Sequence, residues 1–273
     1  MIEKFIDTQC ESWPLLRENR DILEKAPVKD LGDGFISRLL SYRKASATAD
    51  LSKAMSGERP CFLCRKSRPA EQLVLPFGEY EILANPYPLH PKHLTIVHST
   101  HTPQKIEGRI EDMIRLADYL PRHLVFYNGP LCGASAPDHL HFQAVGRELG
   151  ARFECFTFRD GIITKSYPYI LIDNPTPELF ELVISSLPEA DPEPMVNLLA
   201  MKMEEGIRLI IVPRKAHRPE CYGDFIVSPA SIETTGVFNL SREVDFERFD
   251  AAKAKEVMKD VCMDEEQFAR LAF

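Results

Sequence analysis

Histidines are unevenly distributed along the 273-residue chain, and two of them stand in a pattern that could do chemistry. Four of the eight fall within one short stretch: His90, His93, His98 and His101. Alternate residues of a β-strand point to the same face, so His139, His141 and Gln143 are predicted to project together while Leu140 faces the core. The same H-x-H-x-Q pattern also fits the polar face of a half-buried strand.

A glycine-containing turn, Asn128–Ser135, comes shortly before this pattern. Small residues let backbone N–H groups approach an anion closely, and the Ser135 hydroxyl can donate to a phosphate oxygen. Neutral imidazole is a good nucleophile and, once protonated, a good leaving group, so His141 could carry a nucleotidyl group on one ring nitrogen. The carbonyl of His139 is expected to accept from the other ring nitrogen. P-loop, Rossmann and zincin motifs do not occur in the chain.

A second cluster is the C-x-x-C segment Cys61–Cys64, which indicates Zn²⁺ binding or redox chemistry. It supplies only two ligands for a metal. The imidazoles of His101 and His139 could complete a Cys₂His₂ site, but they are too far along the chain for a zinc finger, so the fold must bring the four residues together. The alternative is a pair of cysteines without a metal.

Composition and charge describe an ordinary globular protein. The hydrophobic fraction is 44% and the charged fraction 27%, which argues against disorder, coiled coil and collagen. With 33 Lys and Arg against 41 Asp and Glu, the net charge is −8, which argues against nucleic-acid or anionic-membrane partners. We expect a cytoplasmic protein, since the N-terminus does not resemble a signal peptide and no long apolar run occurs. The seven cysteines do not indicate a disulfide framework.

Short β-type runs separated by Pro and Gly predict strands in the middle of the chain. They are Tyr80–Ala84, Leu94–Val97, Leu124–Tyr127, Leu140–Val145 and Arg152–Phe158. Between the second and third runs, apolar residues at three- and four-residue spacing predict a helix: Ile110, Met113, Ile114, Ala117 and Leu120. This order predicts an α+β fold with a mostly antiparallel sheet.

The second half of the chain repeats part of this plan. Glu178–Ser186 has a helical pattern, and Arg208–Val212 followed by P-R-K-A-H echoes Leu94–Val97 followed by H-S-T-H. The echo suggests duplication. We therefore predict a mostly helical N-terminal arm and loop over residues 1–57, a catalytic half over 58–160, and a degenerate second half over 161–273 that has lost H-x-H.

Positive charge for binding phosphate has several candidates. Arg214 and Lys215 belong to a basic turn in an acidic protein, and we expect them to reach the phosphates from the second half, although a solvated turn is the alternative. His93 could also face the phosphates, with a solvated turn again as the alternative. Asn197 either belongs to the same pocket or occupies a polar position on a helix.

Three motifs in order resemble a known family. They are C-F-L-C from Cys61, N-P-Y-P-L-H-P-K-H-L-T-I-V from Asn85, and Y-N-G-P-L-C-G-A-S-A-P-D-H-L-H-F-Q from Tyr127. The set resembles the transferase and phosphorylase branch of the histidine-triad superfamily, which contains galactose-1-phosphate uridylyltransferase, diadenosine tetraphosphate phosphorylase and GDP-L-galactose phosphorylase. Arg208–Tyr222 looks like the GDP-hexose phosphorylase side of that branch. The resemblance implies two tandem histidine-triad-like halves, a pseudo-dimer.

The resemblance also implies roles for individual residues. His141 would be the nucleophile that takes a nucleoside monophosphate. A structural Zn²⁺ would be held by Cys61, Cys64, His101 and His139. Phosphoryl oxygens would be contacted by Asn128, Gly133, Ser135 and Gln143. Compared with the uridylyltransferases, one extra residue, Asp138, stands between Gly133 and the first histidine. Gln143 stands where hydrolytic members have histidine, which favours transfer to phosphate over transfer to water.

The expected function is nucleotidyl transfer from a nucleoside-diphosphate sugar, with a GDP-hexose preferred, or from a dinucleoside polyphosphate. Inorganic phosphate or a sugar phosphate would be the acceptor, and the protein would act as a monomer or homodimer. The alternatives are a hexose-1-phosphate uridylyltransferase and a catalytically silent nucleotide-binding protein.

Overall fold

Two β-sheets organise the protein, whose computed structural model describes residues 1–44, 60–147 and 167–271. The smaller sheet contains β1 (Val28–Gly32), β2 (Phe35–Leu39) and β11 (Val237–Leu240). The larger one contains β3 (Leu75–Phe77), β4 (Tyr80–Ala84), β5 (Leu94–His98), β6 (His123–Asn128), β7 (His141–Gly146), β8 (Ile170–Asp173), β9 (Val196–Met203) and β10 (Gly206–Pro213).

The larger sheet is antiparallel throughout and runs in the order β3-β4-β5-β7-β6-β9-β10-β8. Five adjacent strands come from residues 75–146 and three from residues 170–213. The join is the pairing of β6 with β9, in which Asn128 lies opposite Asn197. Strands from residues 75–146 and from residues 170–213 therefore meet beside the end of β6.

Both faces of the larger sheet are buried. Along β6, Val125 and Tyr127 pack into one apolar core, whereas Leu124 and Phe126 pack into a second core on the opposite face. Successive side chains of a strand point to opposite faces, so a strand between two cores must be apolar at nearly every position. This explains the continuous apolar runs in the sequence.

Helices cover the two faces. They are α1 (Ile2–Ser12), α2 (Pro14–Lys25), α3 (Ile110–Tyr119), α4 (Pro177–Ser185), α5 (Glu243–Arg248), α6 (Ala251–Val261) and α7 (Glu265–Phe268). In α3 the buried residues Ile110, Met113 and Leu116 recur at helical spacing and join the first core. In α6 the Asp250 side chain caps the first turn by accepting from the Lys253 N–H, and Val257 packs into the second core.

The predicted α+β fold with mostly antiparallel strands is confirmed. The predicted helical character of the N-terminal arm is wrong after Lys25, because Val28–Leu39 form a hairpin around a turn with positive φ at Gly32 and Gly34. The parallel partner of this hairpin is β11, from the far end of the chain.

The strands predicted at Tyr80–Ala84, Leu94–Val97, Leu124–Tyr127 and Leu140–Val145 agree with β4 to β7 within about a residue. The strand predicted at Arg152–Phe158 lies outside the described residues, as do the loop at 46–57 and the boundary at 160/161. The division into an arm and two halves stays a prediction. Among the helices that the structure describes, none is long and apolar enough to cross a membrane.

Candidate active site

His141 stands where two neighbouring strands separate. The β6–β7 ladder runs from His123 opposite Gly146 to Phe126 opposite Gln143, and two pairs further on the same register would place Asn128 opposite His141. The side chain of Gln104 occupies that place. Its Nε2 donates to the carbonyls of Asn128 (3.0 Å) and His141 (3.0 Å), and its Oε1 accepts from the His141 N–H (2.8 Å). This fully buried amide therefore continues the ladder and fixes the backbone of His141.

The imidazole of His141 is oriented by its own chain. A carbonyl can only accept, so the 2.8 Å contact with the His139 carbonyl places the ring proton on Nδ1 and leaves a lone pair on Nε2. This is the carbonyl predicted from the sequence. The residue is 2% exposed, and burial lowers the pKa of its imidazole to about 4. The ring is thus a neutral nucleophile at physiological pH.

A cavity of about 470 Å³ opens beside His141. The N-terminal arm and the first half supply most of its apolar lining: Trp13 and Leu15 from the arm, and Phe62, Leu63, Pro69, Leu83 and Phe126 from the first half. The second half supplies a more polar wall: Val227, Ser228, Ala230, Ile232, Glu233, Asn239 and Ser241. Asn128, Gly133, Ser135 and Gln143 also line it, so the structure brings these four predicted phosphate contacts together with His141. Ser135 reaches the cavity despite the extra residue Asp138.

The amide of Gln143 is held in one orientation. His93 Nδ1 accepts from the Leu89 N–H (3.2 Å), so its other nitrogen, Nε2, carries the proton and donates to Gln143 Oε1 (2.9 Å). Burial lowers the pKa of His93 to about 3, which keeps the ring neutral. Gln143 is left with its NH₂ group to offer to the cavity. His93 lies behind Gln143 and is not among the described residues that line the cavity, which corrects its predicted contact with the phosphates.

Asn128 is fixed in the same way by the second half. Its Oδ1 accepts from Asn197 Nδ2 (3.1 Å), the Ser231 N–H (2.9 Å) and the Ser231 hydroxyl (2.7 Å). A backbone N–H is always a donor, so the oxygen of the amide must point at Ser231. Asn128 therefore also has only its NH₂ group to present to a ligand. Two neutral donors are oriented around His141.

Gly133 lets the second half close on the turn. Its φ is +94°, and a Cβ atom there would lie 2.5 Å from the Cβ of Ala230. A side chain at this position would be strained in conformation and would collide with the neighbouring segment. The absence of a side chain thus brings residues 229–231 against the turn that contains Ser135.

Arg214 does not reach the cavity, contrary to prediction. Its buried guanidinium donates to the carbonyls of Val261 (3.0 Å), Pro229 (3.2 Å) and Ala216 (3.1 Å), and also to Asn197 Oδ1. Arg214 holds the side chain of Asn197, which in turn holds that of Asn128, so Arg214 affects the site indirectly. Asn197 lies on β9, not on a helix.

Lys215 points toward Asp264 (3.9 Å) and lines a different cavity from that of His141. The predicted contact of this lysine with the phosphates is therefore corrected. The cationic side chain that lines the His141 cavity, among the described residues, is Arg43. It donates to the carbonyl of Tyr87, and burial lowers its pKa while the nearby carboxylate of Glu233 opposes that effect. Arg43 also lies close enough to His93 to disfavour a proton there.

The fold brings the four predicted metal ligands together. The ligand atoms of Cys61, Cys64, His101 and His139 all lie within 4.8 Å of one another. The sulfur of Cys61 is 3.3 Å from His139 Nδ1, and that of Cys64 is 3.2 Å from His101 Nδ1. Tetrahedral bonds of about 2.0–2.3 Å give ligand separations of about 3.3–3.8 Å, so the set fits Zn²⁺.

The surroundings of the cluster agree with such a fit. His139 Nε2 donates to the carbonyl of His98 (2.8 Å), which leaves Nδ1 to face the cluster. Burial raises the pKa of the Cys61 thiol to about 12, so its thiolate needs a neighbouring cation. Phe62 and Leu63, between the two cysteines, line the cavity. A bound metal would thus shape one cavity wall and hold the carbonyl of His139 that orients His141.

Sequence reasoning missed several residues of the site. Gln104, Arg43 and Ser231 stand in polar stretches with no spacing signal, and their partners are distant in the chain. Glu233 and Asn239 were missed for the same reason. Only contacts made by the folded chain reveal them, since none belongs to a motif that repeats or that matches a chemical pattern.

The fold of this chain is similar to that of a solved phosphorylase. The structure matches that of the yeast Ap4A phosphorylase Apa2 with a TM-score of 0.60 and 17% identity, covering 92% of this chain and 97% of that chain. The complex of Apa2 with Ap4A matches with a TM-score of 0.62 and 16% identity over 92% and 97% of the two chains. At such identities the likeness establishes the fold, and the resemblance to this branch of the superfamily is confirmed.

The chain belongs to the family of DUF4922, a domain of unknown function, whose family model matches residues 5–146. Residues 171–272 match the model of the GDPGP1-like, C-terminal domain. No curated protein sequence matches the chain. The two family models divide the chain between β7 and β8, which leaves the candidate nucleophile in the first matched segment and the polar cavity wall in the second.

Proposed function

We propose that this protein is a nucleotidyltransferase of the phosphorylase type that works through a nucleotidyl group on His141. The observation that carries the proposal is the neutral, oriented imidazole of His141, with its Nε2 lone pair available beside a cavity of about 470 Å³. A neutral imidazole in hydrogen-bond contact with a carbonyl is suited to nucleophilic attack and to stabilising the cation that forms.

The reaction proceeds in two displacements at phosphorus. His141 Nε2 attacks the α-phosphorus of the nucleotide, a nitrogen–phosphorus bond forms, and the bond to the bridging oxygen breaks with its electron pair leaving on the sugar 1-phosphate. The ring becomes cationic, and its Nδ1 proton remains hydrogen-bonded to the His139 carbonyl. An oxygen of inorganic phosphate then attacks the same phosphorus, the nitrogen–phosphorus bond breaks, and a nucleoside diphosphate leaves a neutral ring.

The donors to phosphoryl oxygens in this proposal are the NH₂ groups of Asn128 and Gln143. Both amides are oriented by acceptor contacts on their oxygens, so they are pre-aligned before the substrate binds. Neither can give up a proton to a leaving group or take one from water. A neutral donor at Gln143 therefore favours transfer to phosphate over hydrolysis.

Arg43 supplies the positive charge that was expected from Arg214 and Lys215. It lines the cavity together with His141 and Gln143, whereas the donors of Arg214 are used by carbonyls. Substrate and acceptor both bring negative charge to the site, so one fixed guanidinium lowers the repulsion between them.

Cys61, Cys64, His101 and His139 hold a structural Zn²⁺ in this proposal. The metal would supply a fixed cross-link between the cysteine segment and the strand of the nucleophile. All four ligand positions are filled by the chain, so no position is left for substrate. The consequence for catalysis is the placement of the His139 carbonyl and of the cavity wall at Leu63.

A GDP-hexose is the preferred substrate and a dinucleoside polyphosphate the second candidate. The match of residues 171–272 to the GDPGP1-like domain supports the first, because those residues form the polar wall of the cavity. The likeness to an Ap4A phosphorylase supports the second. A hexose-1-phosphate uridylyltransferase would differ in the base of its nucleotide sugar and in the acceptor that enters after the first displacement.

A catalytically silent nucleotide-binding protein is the competing function, and trapping the intermediate separates the two. The protein is incubated with GDP-mannose, UDP-glucose or Ap4A without phosphate, quenched, and its intact mass measured. We expect a gain of one nucleoside monophosphate, lost on addition of phosphate, and no gain in His141→Gly. The matched control His90→Asn, which changes another buried histidine, should keep the gain. Turnover by His141→Gly at the parent rate would refute the covalent route.

A further inference from the structure

We propose that Glu193, from the second half, is a positioning residue that holds Gln104 between β6 and β7 and so sets the place of His141. This inference deepens the proposed function and rests on it for the kinetic part of its test. Glu193 is not among the described residues that line the His141 cavity, so it acts through Gln104 and not by touching substrate.

Glu193 is a buried carboxylate in a segment whose other acidic residues face solvent. Glu189 and Asp191 are exposed, whereas Glu193, between Pro192 and Pro194, is only 5% exposed. Burying a carboxylate costs its hydration, so such a group is found where hydrogen bonds replace the lost water. The partners of those hydrogen bonds therefore indicate what the carboxylate does.

The carboxylate of Glu193 joins two separate elements of the first half. Its Oε2 accepts from the Ile106 N–H (2.7 Å), and its Oε1 accepts from the Tyr127 hydroxyl (2.7 Å). The N–H contact has the short length that is usual when the acceptor is charged. Ile106 lies shortly before α3 and Tyr127 near the end of β6, so one side chain of the second half connects these two places.

These are the two places that Gln104 must keep together. Gln104 stands two residues before Ile106, its own N–H donates to the Pro137 carbonyl (3.1 Å), and its side chain bonds to the Asn128 carbonyl at the end of β6. The backbone around Gln104 is thus held by Pro137 on one side and by Glu193 on the other. Ile106 also packs into the first core, but apolar contact is not directional and does not fix the rotation of a peptide group.

The segment that carries Glu193 contacts the end of β6 a second time. The Gly129 N–H donates to the Val196 carbonyl (3.1 Å). A Cβ atom at Gly129 would lie 2.9 Å from that carbonyl oxygen and 3.5 Å from Glu193 Oε1. The absence of a side chain at Gly129 therefore lets residues 193–196 lie directly against the strand end.

Three substitutions separate position from charge. Glu193→Leu removes both acceptors. Glu193→Asp keeps the charge but shortens the side chain by one methylene, so the carboxylate no longer reaches both donors. Glu193→Gln keeps the length, since its oxygen can accept from the Ile106 N–H while its NH₂ group donates to the Tyr127 oxygen. If Glu193→Leu does not fold, the comparison of Glu193→Asp with Glu193→Gln decides.

The kinetic readout is the single-turnover rate of nucleotidyl transfer to His141. It is followed by intact mass at saturating GDP-mannose, UDP-glucose or Ap4A, whichever labels the parent protein fastest. We expect Glu193→Leu and Glu193→Asp to be about ten- to fifty-fold slower and Glu193→Gln less than about three-fold slower. The dissociation constant of the same nucleotide, measured with His141→Gly also present, should change less than about two-fold. Parent-like rates in Glu193→Leu or Glu193→Asp overturn the proposal.

A double variant tests whether Glu193 acts through Gln104. Residues that act through one another give effects that do not add, so Glu193→Asp combined with Gln104→Met should be about as slow as Gln104→Met alone. Two losses that multiply in the double variant would mean an independent route and would overturn the proposal.

Asp245→Ala is the matched control for stability. Asp245 is also a fully buried carboxylate of the second half that accepts from a backbone N–H, that of Ile226 (3.0 Å). We expect this variant to lower the melting temperature without slowing transfer in the folded protein. An equal loss of rate in Asp245→Ala and Glu193→Asp would assign both losses to stability and would refute a positioning role.

Hydrogen exchange at the His141 N–H tests the placement without catalysis. This N–H donates to Gln104 Oε1 (2.8 Å), whereas Ala144, in the same strand, is paired with strands on both sides and serves as the reference. We expect Glu193→Asp to raise the exchange of His141 relative to Ala144 about ten-fold or more, and Glu193→Gln to leave the ratio unchanged. An unchanged ratio in Glu193→Asp overturns the proposal, whatever the rate of transfer.

The two readouts distinguish failure of this inference from failure of the proposed function. A raised exchange ratio in Glu193→Asp, with no nucleotidyl adduct even in the parent protein, means that Glu193 positions Gln104 but that His141 is not the nucleophile. An adduct in the parent, with an unchanged exchange ratio in Glu193→Asp, means that the nucleophile is correct and the positioning role is wrong.

Discussion

A substitution at Gln104 tests whether its side chain, which fills the gap between β6 and β7, positions the proposed nucleophile His141. The side chain makes three hydrogen bonds to the backbone, two to carbonyls and one from the His141 N–H. Gln104→Met keeps the length of the side chain and removes all three partners. The perturbation therefore leaves the volume nearly unchanged and changes the hydrogen bonding alone.

The expected loss of stability follows from the groups left behind. Each buried backbone group without a partner costs about 1–3 kcal/mol, and partial relaxation of the strands reduces the sum, so we expect about 3–6 kcal/mol for three groups. The effect on rate is separate. A shift of His141 by about 1 Å reduces kcat about a hundred-fold, because in-line attack at phosphorus depends on the position of Nε2.

The matched control is Gln9→Met. Gln9 is also fully buried and also fastens backbone, since it donates to the Glu71 carbonyl (2.8 Å) and accepts from the Leu73 N–H (2.5 Å). We expect it to lower stability by about 2–4 kcal/mol and to change kcat less than two-fold. Urea unfolding and single-turnover rates, corrected for the folded fraction, measure both effects. Parent-like kcat in folded Gln104→Met would refute the reasoning.

Four further outcomes are expected. Protein purified without added metal should contain about one zinc per chain, and Cys64→Ser should lower both the zinc content and the melting temperature. Fully active zinc-free protein would contradict the proposed zinc site. Arg43→Gln should raise the KM for phosphate about ten-fold or more, whereas Lys215→Ala, which changes a different cavity, should leave that KM unchanged. The reverse result would mean that the basic turn at Lys215 binds phosphate. Gln143→His should increase hydrolysis relative to phosphorolysis. An unchanged ratio of nucleoside monophosphate to nucleoside diphosphate would mean that Gln143 does not determine the acceptor. Burial lowers the pKa of His90 from 6.5 to about 3, so the unfolded chain binds one more proton there between these values, and His90 alone should lower stability by about 1.4 kcal/mol per pH unit as the pH drops below 6.5. His93 and His141 add to this slope in the same direction, so His90→Asn should reduce the slope by about 1.4 kcal/mol per pH unit in urea titrations between pH 7 and 4, and an unchanged slope would contradict the assignment.

The residues of the chemistry could be found in the sequence because their spacing is local. H-x-H-x-Q and C-x-x-C each occupy one short segment, and a strand or a tight turn is enough to aim their side chains together. The hydrogen bond from His141 to the His139 carbonyl follows from the same local geometry, and the structure confirms it. The meeting of His101 with Cys64 required the fold, but the chemistry of the ligands predicted it.

Strands buried on both faces were harder to recognise. The segment Val196–Met203 is apolar at most positions because it lies between two cores, so it lacks the alternation that distinguishes a strand from a helix. Asn197 interrupts that run and looks like a polar position on a helix. In the folded chain it is a fully buried side chain between Arg214 and Asn128.

The hairpin at Val28–Leu39 was missed for another reason. Its strands alternate weakly, and its strand β2 is completed by β11, which lies some two hundred residues further along the chain. The turn at Gly32 and Gly34 is a local signal for the hairpin itself, whereas its third strand comes from the distant partner. Pairing of this kind is determined by tertiary contacts that no local window contains.

The basic turn shows why charge in a sequence does not identify a ligand. We expected the guanidinium of Arg214 to bind phosphate because the protein is acidic. Its N–H groups instead donate to the carbonyls of Val261, Pro229 and Ala216. Buried carbonyls outside the sheet, such as that of Val261 at the end of α6, need hydrogen-bond donors as much as an anion does. The second half therefore reaches the proposed phosphate site through a chain of contacts, from Arg214 to Asn197 to Asn128. A change at Arg214 should for this reason disturb the orientation of the Asn128 amide rather than the charge that faces a bound phosphate.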